Sequence, residues 1–304
     1  MRDLIGSSME YVIETQGLVK QYKTKLALND VSVHVKRGDI YGLIGKNGAG
    51  KTTLMKLVLG LTAPTKGKIL LFGNQSLNEG RKKIGSLIES PGLYKNCTAQ
   101  ENMYRFSVLY GADKNDIKPL LERVGLGGVG AKKAGEFSLG MRQRLGIAIA
   151  LLAHPEILIL DEPINGLDPA GIKEIRDIIT GLNREGVTFV ISSHLLDELA
   201  KVVTTYGIIT DGSLAEEVTA RDLSRRCRKS VRIVTDDNDR ACAFLKSRFS
   251  DMNAELRADG VYLSDHFDQT ARINKLLVES GFWVGEIGLS ESGFEEYFIE
   301  RLGR

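Results

Sequence analysis

"IYGLIGKNGAGKTTLMKLVLG", residues 40–60, opens with an almost continuous apolar run, Ile40–Ile44. It then passes through Gly45-Lys46-Asn47-Gly48-Ala49-Gly50-Lys51-Thr52 into a helical stretch, Thr52–Gly60. The loop matches G-x-x-x-x-G-K-[ST] between a strand and a helix, the context in which that pattern cradles phosphate. Its glycines let the main chain wrap closely enough for N–H groups to face phosphate oxygens, and the helix N-terminus adds partial positive charge. Lys51 then reaches the β/γ-phosphates, and Thr52 offers a hydroxyl to Mg²⁺.

A second apolar run, "ILILDEP" at 157–163, ends in two carboxylates. Alone they read as a strand end emerging into solvent. With a phosphate loop upstream, Asp161 takes the position that orients Mg²⁺, usually through water, and Glu162 that of a general base for water attacking the γ-phosphate. The combination predicts an ATPase. His194 follows "TFVISS", 188–193, and alone would read as a helix cap or a core histidine. Its strand is the next β unit after the carboxylates, so its end is expected at the same, phosphate-binding edge of the sheet.

Around these stretches the chain alternates strand and helix. "IYGLIG" (40–45), "IGSLIE" (84–89), "ILILDE" (157–162) and "TFVISS" (188–193) are nearly continuous in Ile, Leu and Val. Strands buried on both faces of a parallel sheet have that composition, and helical stretches such as Ala170–Asn183 lie between them. "YVIETQGLVKQY" and "DVSVHVKRG" alternate instead, as two strands of a half-exposed antiparallel layer should. Mostly helical sequence interrupts the α/β pattern at about 92–153. All six prolines lie at or before Pro169, and a charged stretch runs to about Lys229. The expected division is therefore an ATP-binding domain at 10–215 and an accessory domain at 216–304. The order βαββαβ plus a terminal helix, "SGFEEYFIERL", fits an α+β ferredoxin-like module.

At 304 residues with 42% hydrophobic and 26% charged content, the composition is that of a soluble globular protein. No apolar run approaches the roughly 20 residues needed to cross a bilayer, and "MRDLIGSSME" lacks a secretory apolar core. A cytosolic protein is expected. Cys97, Cys227 and Cys242 are odd in number and widely spaced, so they read as reduced thiols. A net charge of +2 gives no reason to expect nucleic acid, and the basic cluster at 221–229 reads as a solvated linker face.

Taken together these residues resemble the ATP-binding subunit of an ABC transporter over roughly residues 10–215. Besides the loop, the carboxylates and His194, "FSLGMRQRLGIAIAL" resembles the family's signature sequence, and "GLDP", Gly166–Pro169, its D-loop. The resemblance implies that Tyr22 stacks on adenine and that Asn47, Gly48, Ala49, Gly50, Lys51, Thr52 and Thr53 hold ATP. It implies that Ser138 and Gly140 contact the γ-phosphate of ATP held by a second subunit, with Asp168 nearby, in a nucleotide-sandwich dimer. It also implies a separate membrane permease, placing this chain on the inner face of the cell membrane. The signature departs from the common pattern at Leu139 and Met141. The family usually has Gln where this chain has Glu89, in "GSLIESPG" at 85–92. By that position Glu89 is expected, when ATP is bound, near the attacking water and, with Thr52 and Asp161, near the metal, and near the permease-facing helices when it is not. Glu there, with the C-terminal extension, resembles the bacitracin-resistance and lantibiotic-immunity exporter branch. The competing readings are a non-transport ABC ATPase acting on nucleic acid or ribosomes, and a sensor module in which signalling matters more than flux.

Overall fold

The computed structural model describes residues 11–74, 76–193, 198, 200–226, 229–248, 254–263, 269–291 and 297–298. The chain begins with β1 (Tyr11–Tyr22), β2 (Lys25–Val31), β3 (His34–Lys36) and β4 (Ile40–Ile44), then α1 (Lys51–Leu59) and β5 (Lys66–Leu71). β1 is long enough to pair antiparallel with β2, β3 and β5, which makes the antiparallel layer. "DVSVHVKRG" is two strand pieces rather than one. Asp30 turns into the left-handed region, and the buried Thr15 hydroxyl bridges the break, donating to Val31 O at 3.0 Å and accepting from Val33 N at 2.9 Å.

The second sheet adds β6 (Ile84–Leu87), β7 (Ile157–Asp161), β8 (Thr188–Ser193), β9 (Thr205–Thr210) and β10 (Ser213–Thr219). Its order is β10-β9-β4-β8-β7-β6, parallel except for the β9–β10 hairpin. β4, β7 and β8 are central and buried at every residue, which their unbroken apolar sequences require. β6 differs from the expectation of burial on both faces: it is an edge strand, with Ser86 exposed and Ile84 half-buried. Tyr41, wholly buried in β4, donates to Glu217 of β10 at 2.7 Å; burial first, then that carboxylate, pushes its phenol well above the usual range.

α2 (Leu77–Arg81) precedes β6, and α3 (Ala99–Tyr110), α4 (Ile117–Arg123) and α5 (Leu139–Leu151) separate β6 from β7. α3 starts at a capping box in which Thr98 and Glu101 bond each other's backbone N–H groups. α5 lies tightly on the β6 segment. A Cβ on Gly146 would stand 2.9 Å from both Leu87 Cδ1 and Pro91 Cβ, and one on Gly85 2.2 Å from Ala150 O. α6 (Pro169–Arg184) links β7 to β8.

The chain divides into two compact units after Ala220. The basic stretch expected as a solvated linker is helical through α7 (Ala220–Arg226), with Leu223 fully buried. The second unit, 221–300, has β11 (Lys229–Thr235), α8 (Asn238–Arg248), β12 (Ala254–Arg257), β13 (Gly260–Leu263), α9 (Thr270–Glu279) and β14 (Val284–Glu291). Its antiparallel sheet runs β12-β13-β11-β14, and Val231, Ile233, Leu245, Val261, Leu263 and Leu277 form its core. Most of the helix expected over 292–302 lies outside the described residues; within it Phe298 is fully buried, with the Tyr297 ring 5.9 Å away. Cys97 and Cys242 are free thiols, and Cys227 is outside the described residues. Among the described residues no helix is long and apolar enough to cross a membrane.

Candidate nucleotide site

The loop between β4 and α1 is forced into its course by its neighbours. Gly50, at φ +114, caps α1, and a Cβ there would meet Leu28 Cδ2 at 2.7 Å and Ala27 O at 2.8 Å. Lys51, only 5% exposed, folds back over the loop: its Nζ lies 2.6 Å from Gly45 O, 3.3 Å from Lys46 O and 3.4 Å from Glu162 Oε1. A buried ammonium at a helix N-terminus, ringed by carbonyls that an anion can replace, is a phosphate cradle. The cradle opens into a cleft of about 330 Å³. Asn47, Gly48, Gly50, Lys51, Thr52 and Thr53 form its floor, while Tyr22, Lys25, Ala27 and Glu162 also line it. Ala49 is buried behind the loop and lines a separate small cavity with Thr210 and Asp211. The Tyr22 ring is 43% exposed, with Lys20 Nζ 4.7 Å from its centre.

Behind the cleft the acidic residues are fixed by hydroxyls. Asp161, 5% exposed at the end of β7, accepts from Thr52 Oγ1 at 2.8 Å and from Ser192 Oγ at 2.5 Å. Ser192 in turn accepts from Glu162 N at 2.8 Å, and Glu162 sits at φ +50, in the left-handed region. One serine of β8 thus sets both carboxylate residues. No cluster of three metal-ligating acids, histidines or cysteines occurs among the described residues. A hydroxyl and one carboxylate are few, hard oxygen donors, which fits Mg²⁺: it keeps several waters and takes its other ligands from phosphates.

Glu89 is elsewhere. It follows β6 at φ +63, and its carboxylate accepts from Lys56 Nζ of α1 at 2.7 Å. Its side chain is 68% exposed and does not line the cleft. The Lys56 hydrogen bond, then its charge, holds the Glu89 carboxyl below the usual range; the same bond raises the Lys56 ammonium. Of the three residues expected at the metal, Thr52 and Asp161 touch each other and Glu89 does not join them.

Ser138, Gly140 and Asp168 form a second surface. A depression of about 440 Å³ lies over Ser138–Met141 and Gly166–Asp168, and none of its lining residues is shared with the phosphate cleft. Ser138 caps α5 by accepting from Met141 N at 3.2 Å, and Asp168 caps α6 by accepting from Gly171 N at 3.0 Å, with Pro169 at the first turn. His194 lies outside the described residues. The sequence reading missed Lys25, Ser192 and Lys56. Lys25 stands three residues after Tyr22 across a tight hairpin, a spacing that was available; Ser192 and Lys56 meet their carboxylates only through the fold.

Comparison with known proteins places this geometry. The profile of the ABC transporter family matches residues 28–165. The bacitracin transport ATP-binding protein BcrA of Bacillus licheniformis is 43% identical over 301 residues, 97% of this chain and 98% of that one. The chain belongs to the ABC transporter ATP-binding family. It is accordingly an ATPase that binds ATP. The lantibiotic transport ATP-binding protein SrtF of Streptococcus pyogenes is 45% identical over 206 residues, 68% of this chain and 90% of that one. Among solved structures, an ATP-binding subunit of an ABC transporter is 29% identical, with a TM-score of 0.63 over 71% of this chain and 92% of that one. An ATP-binding cassette solved as a dimer in a post-hydrolysis state with ADP and phosphate is 25% identical, with a TM-score of 0.63 over 69% of this chain and 99% of that one.

Proposed function

We propose that this chain is the ATP-hydrolysing motor of an exporter for a peptide antibiotic or similar amphipathic compound, driving a separately encoded permease from the inner face of the cell membrane. The observation that carries the reading is the separation of two half-sites. The phosphate cleft and the Ser138–Asp168 depression share no residue, which supports a site completed by a second copy that brings its signature surface to the first copy's ATP. Likeness along the whole chain to a bacitracin transport protein supports the cargo class.

In this reading Tyr22 stacks on adenine, the Asn47–Gly50 backbone with Thr53 holds the phosphates, and Lys51 exchanges its loop carbonyls for β- and γ-oxygens. Mg²⁺, held by Thr52 and Asp161, would neutralise charge between those oxygens. Glu162 takes the proton of the attacking water, and His194 is assigned to the γ-phosphate by its place after the β8 sequence. The second copy's Ser138 and Gly140, on a helix N-terminus, stabilise the transferred phosphoryl charge, with Asp168 bordering them. Glu89 joins the site only when ATP and Mg²⁺ are bound. We also read the 221–300 unit as ferredoxin-like, on its βαββαβ order and its sheet order.

The test is to express the chain with the permease encoded beside it in bacitracin- and lantibiotic-sensitive cells. Resistance should rise, and Glu162→Gln should abolish it while leaving ATP bound. Equal resistance with Glu162→Gln would overturn ATP-driven export. No resistance from a pair that hydrolyses ATP would overturn the cargo class.

A further inference from the structure

We propose that Lys56 is a positioning residue for the nucleotide site: its ammonium holds Glu89 off the metal–phosphate centre, and lysine and metal compete for that one carboxylate. The inference rests on the nucleotide-site reading above and adds a residue to it.

Lys56 stands four residues after Thr52 on α1, so the two side chains lie one turn apart on the same face. Its Nζ is 2.7 Å from Glu89 Oε1, while Thr52 bonds Asp161, whose charge also acts on Lys56. One turn of helix thus separates a carboxylate fixed by hydroxyls from one held by a single ammonium. The hold is light: Lys56 is 34% and Glu89 68% exposed, and exposed ion pairs are weak. A divalent ion attracts a carboxylate about twice as strongly as an ammonium at the same distance and dielectric. The exchange depends on a charge at position 89, because an amide would offer either cation only a dipole. Glu at this position therefore makes release from Lys56 part of assembling the site, and the segment after β6 registers that release.

The experiment titrates Mg²⁺ into the full-length protein with a fluorescent, non-hydrolysable ATP analogue. Lys56→Met removes the competitor, so apparent Mg²⁺ affinity should tighten by about two- to fivefold, the range set by exposed ion pairs. Removing any positive charge near the metal also tightens binding through space. The same substitution is therefore made in a Glu89→Gln background, where the gain should largely vanish. Lys56→Arg should restore the wild-type value, and Lys56→Gln serves if the methionine variant does not fold. Hydrogen exchange at the backbone amides of 88–90, 92 and 93, measured without nucleotide, should quicken in Lys56→Met and not in Lys56→Arg. Equal tightening in both backgrounds, unchanged affinity, or weaker Mg²⁺ binding in Lys56→Met would overturn the proposal. If the wild type shows no Mg²⁺-dependent binding of the analogue, the nucleotide-site reading itself fails, and this proposal with it.

Discussion

Asp161 ends β7 and Glu89 follows β6, neighbouring parallel strands of one sheet, and their carboxylates live under opposite regimes. Asp161 is buried and accepts from two hydroxyls at 2.8 and 2.5 Å. Glu89 is exposed and accepts from one flexible ammonium. A buried charge without its partners costs far more than an exposed one, so the first arrangement has one geometry and the second has several. The contrast separates what the site must hold still from what it must be able to move.

Substitutions on the fixed side should be the most damaging. Lys51→Ala removes charge-assisted bonds to the β/γ-phosphates, so ATP affinity should fall about a hundredfold and hydrolysis should cease. Normal turnover by this variant would break the contrast at its root. Glu162→Gln keeps the shape of the side chain and loses its basicity, so turnover should drop by about 10²–10⁴ while ATP still binds. Sizing with ATP and Mg²⁺ should then show a trapped dimer. Ser192→Ala strips Asp161 of one donor and Glu162 N of its acceptor, and should cost about 1–3 kcal/mol in denaturant unfolding and raise the Mg²⁺ requirement. A silent Ser192→Ala would mean that Asp161 is not held as described.

On the movable side the effects should be small. Glu89→Gln should keep ATPase activity within about tenfold, roughly 1.4 kcal/mol, because an amide can still accept through a bridging water. The pH dependence has a definite sign. Lys56 holds the Glu89 carboxyl below its usual range, so the pair's contribution is full above the unfolded value, about 4.3, and is lost as pH falls through the depressed folded value. The Tm difference between wild type and Glu89→Gln should therefore shrink on acidification. A difference that grows instead would show that the pair does not stabilise the fold.

How much of this was legible in the sequence follows the same line between local and non-local causes. β4, β7 and β8 were readable because central parallel strands are apolar at every position, and the phosphate loop because its glycines are demanded within a few residues. The edge position of β6 was not, since its Ile and Leu look like those of a central strand until the neighbour on one side is known to be missing. The break between β2 and β3 depends on Thr15, sixteen residues from Val31. Ser192 and Asp161 are thirty-one residues apart, and Lys56 and Glu89 thirty-three. A spacing rule sees none of these pairs. Tyr22, the loop residues, Asp161, Glu162, Ser138, Gly140 and Asp168 sat in local motifs, and the resemblance those motifs carry already implied their division between two subunits; the structure puts the two groups on surfaces that share no residue.

The close packing at Gly146 gives that division a mechanical side. Pro91, two residues past Glu89, rests 2.9 Å from where a Cβ of Gly146 would be, and Gly146 is eight residues along α5 from Ser138, about 12 Å of rigid rod. In the dimer proposed above, Pro91 and α5 would act as cam and follower. In the proposed dimer, a displacement of the turn after Glu89 would be delivered, as a push along a stiff lever, to the helix tip assigned to the second copy's phosphate.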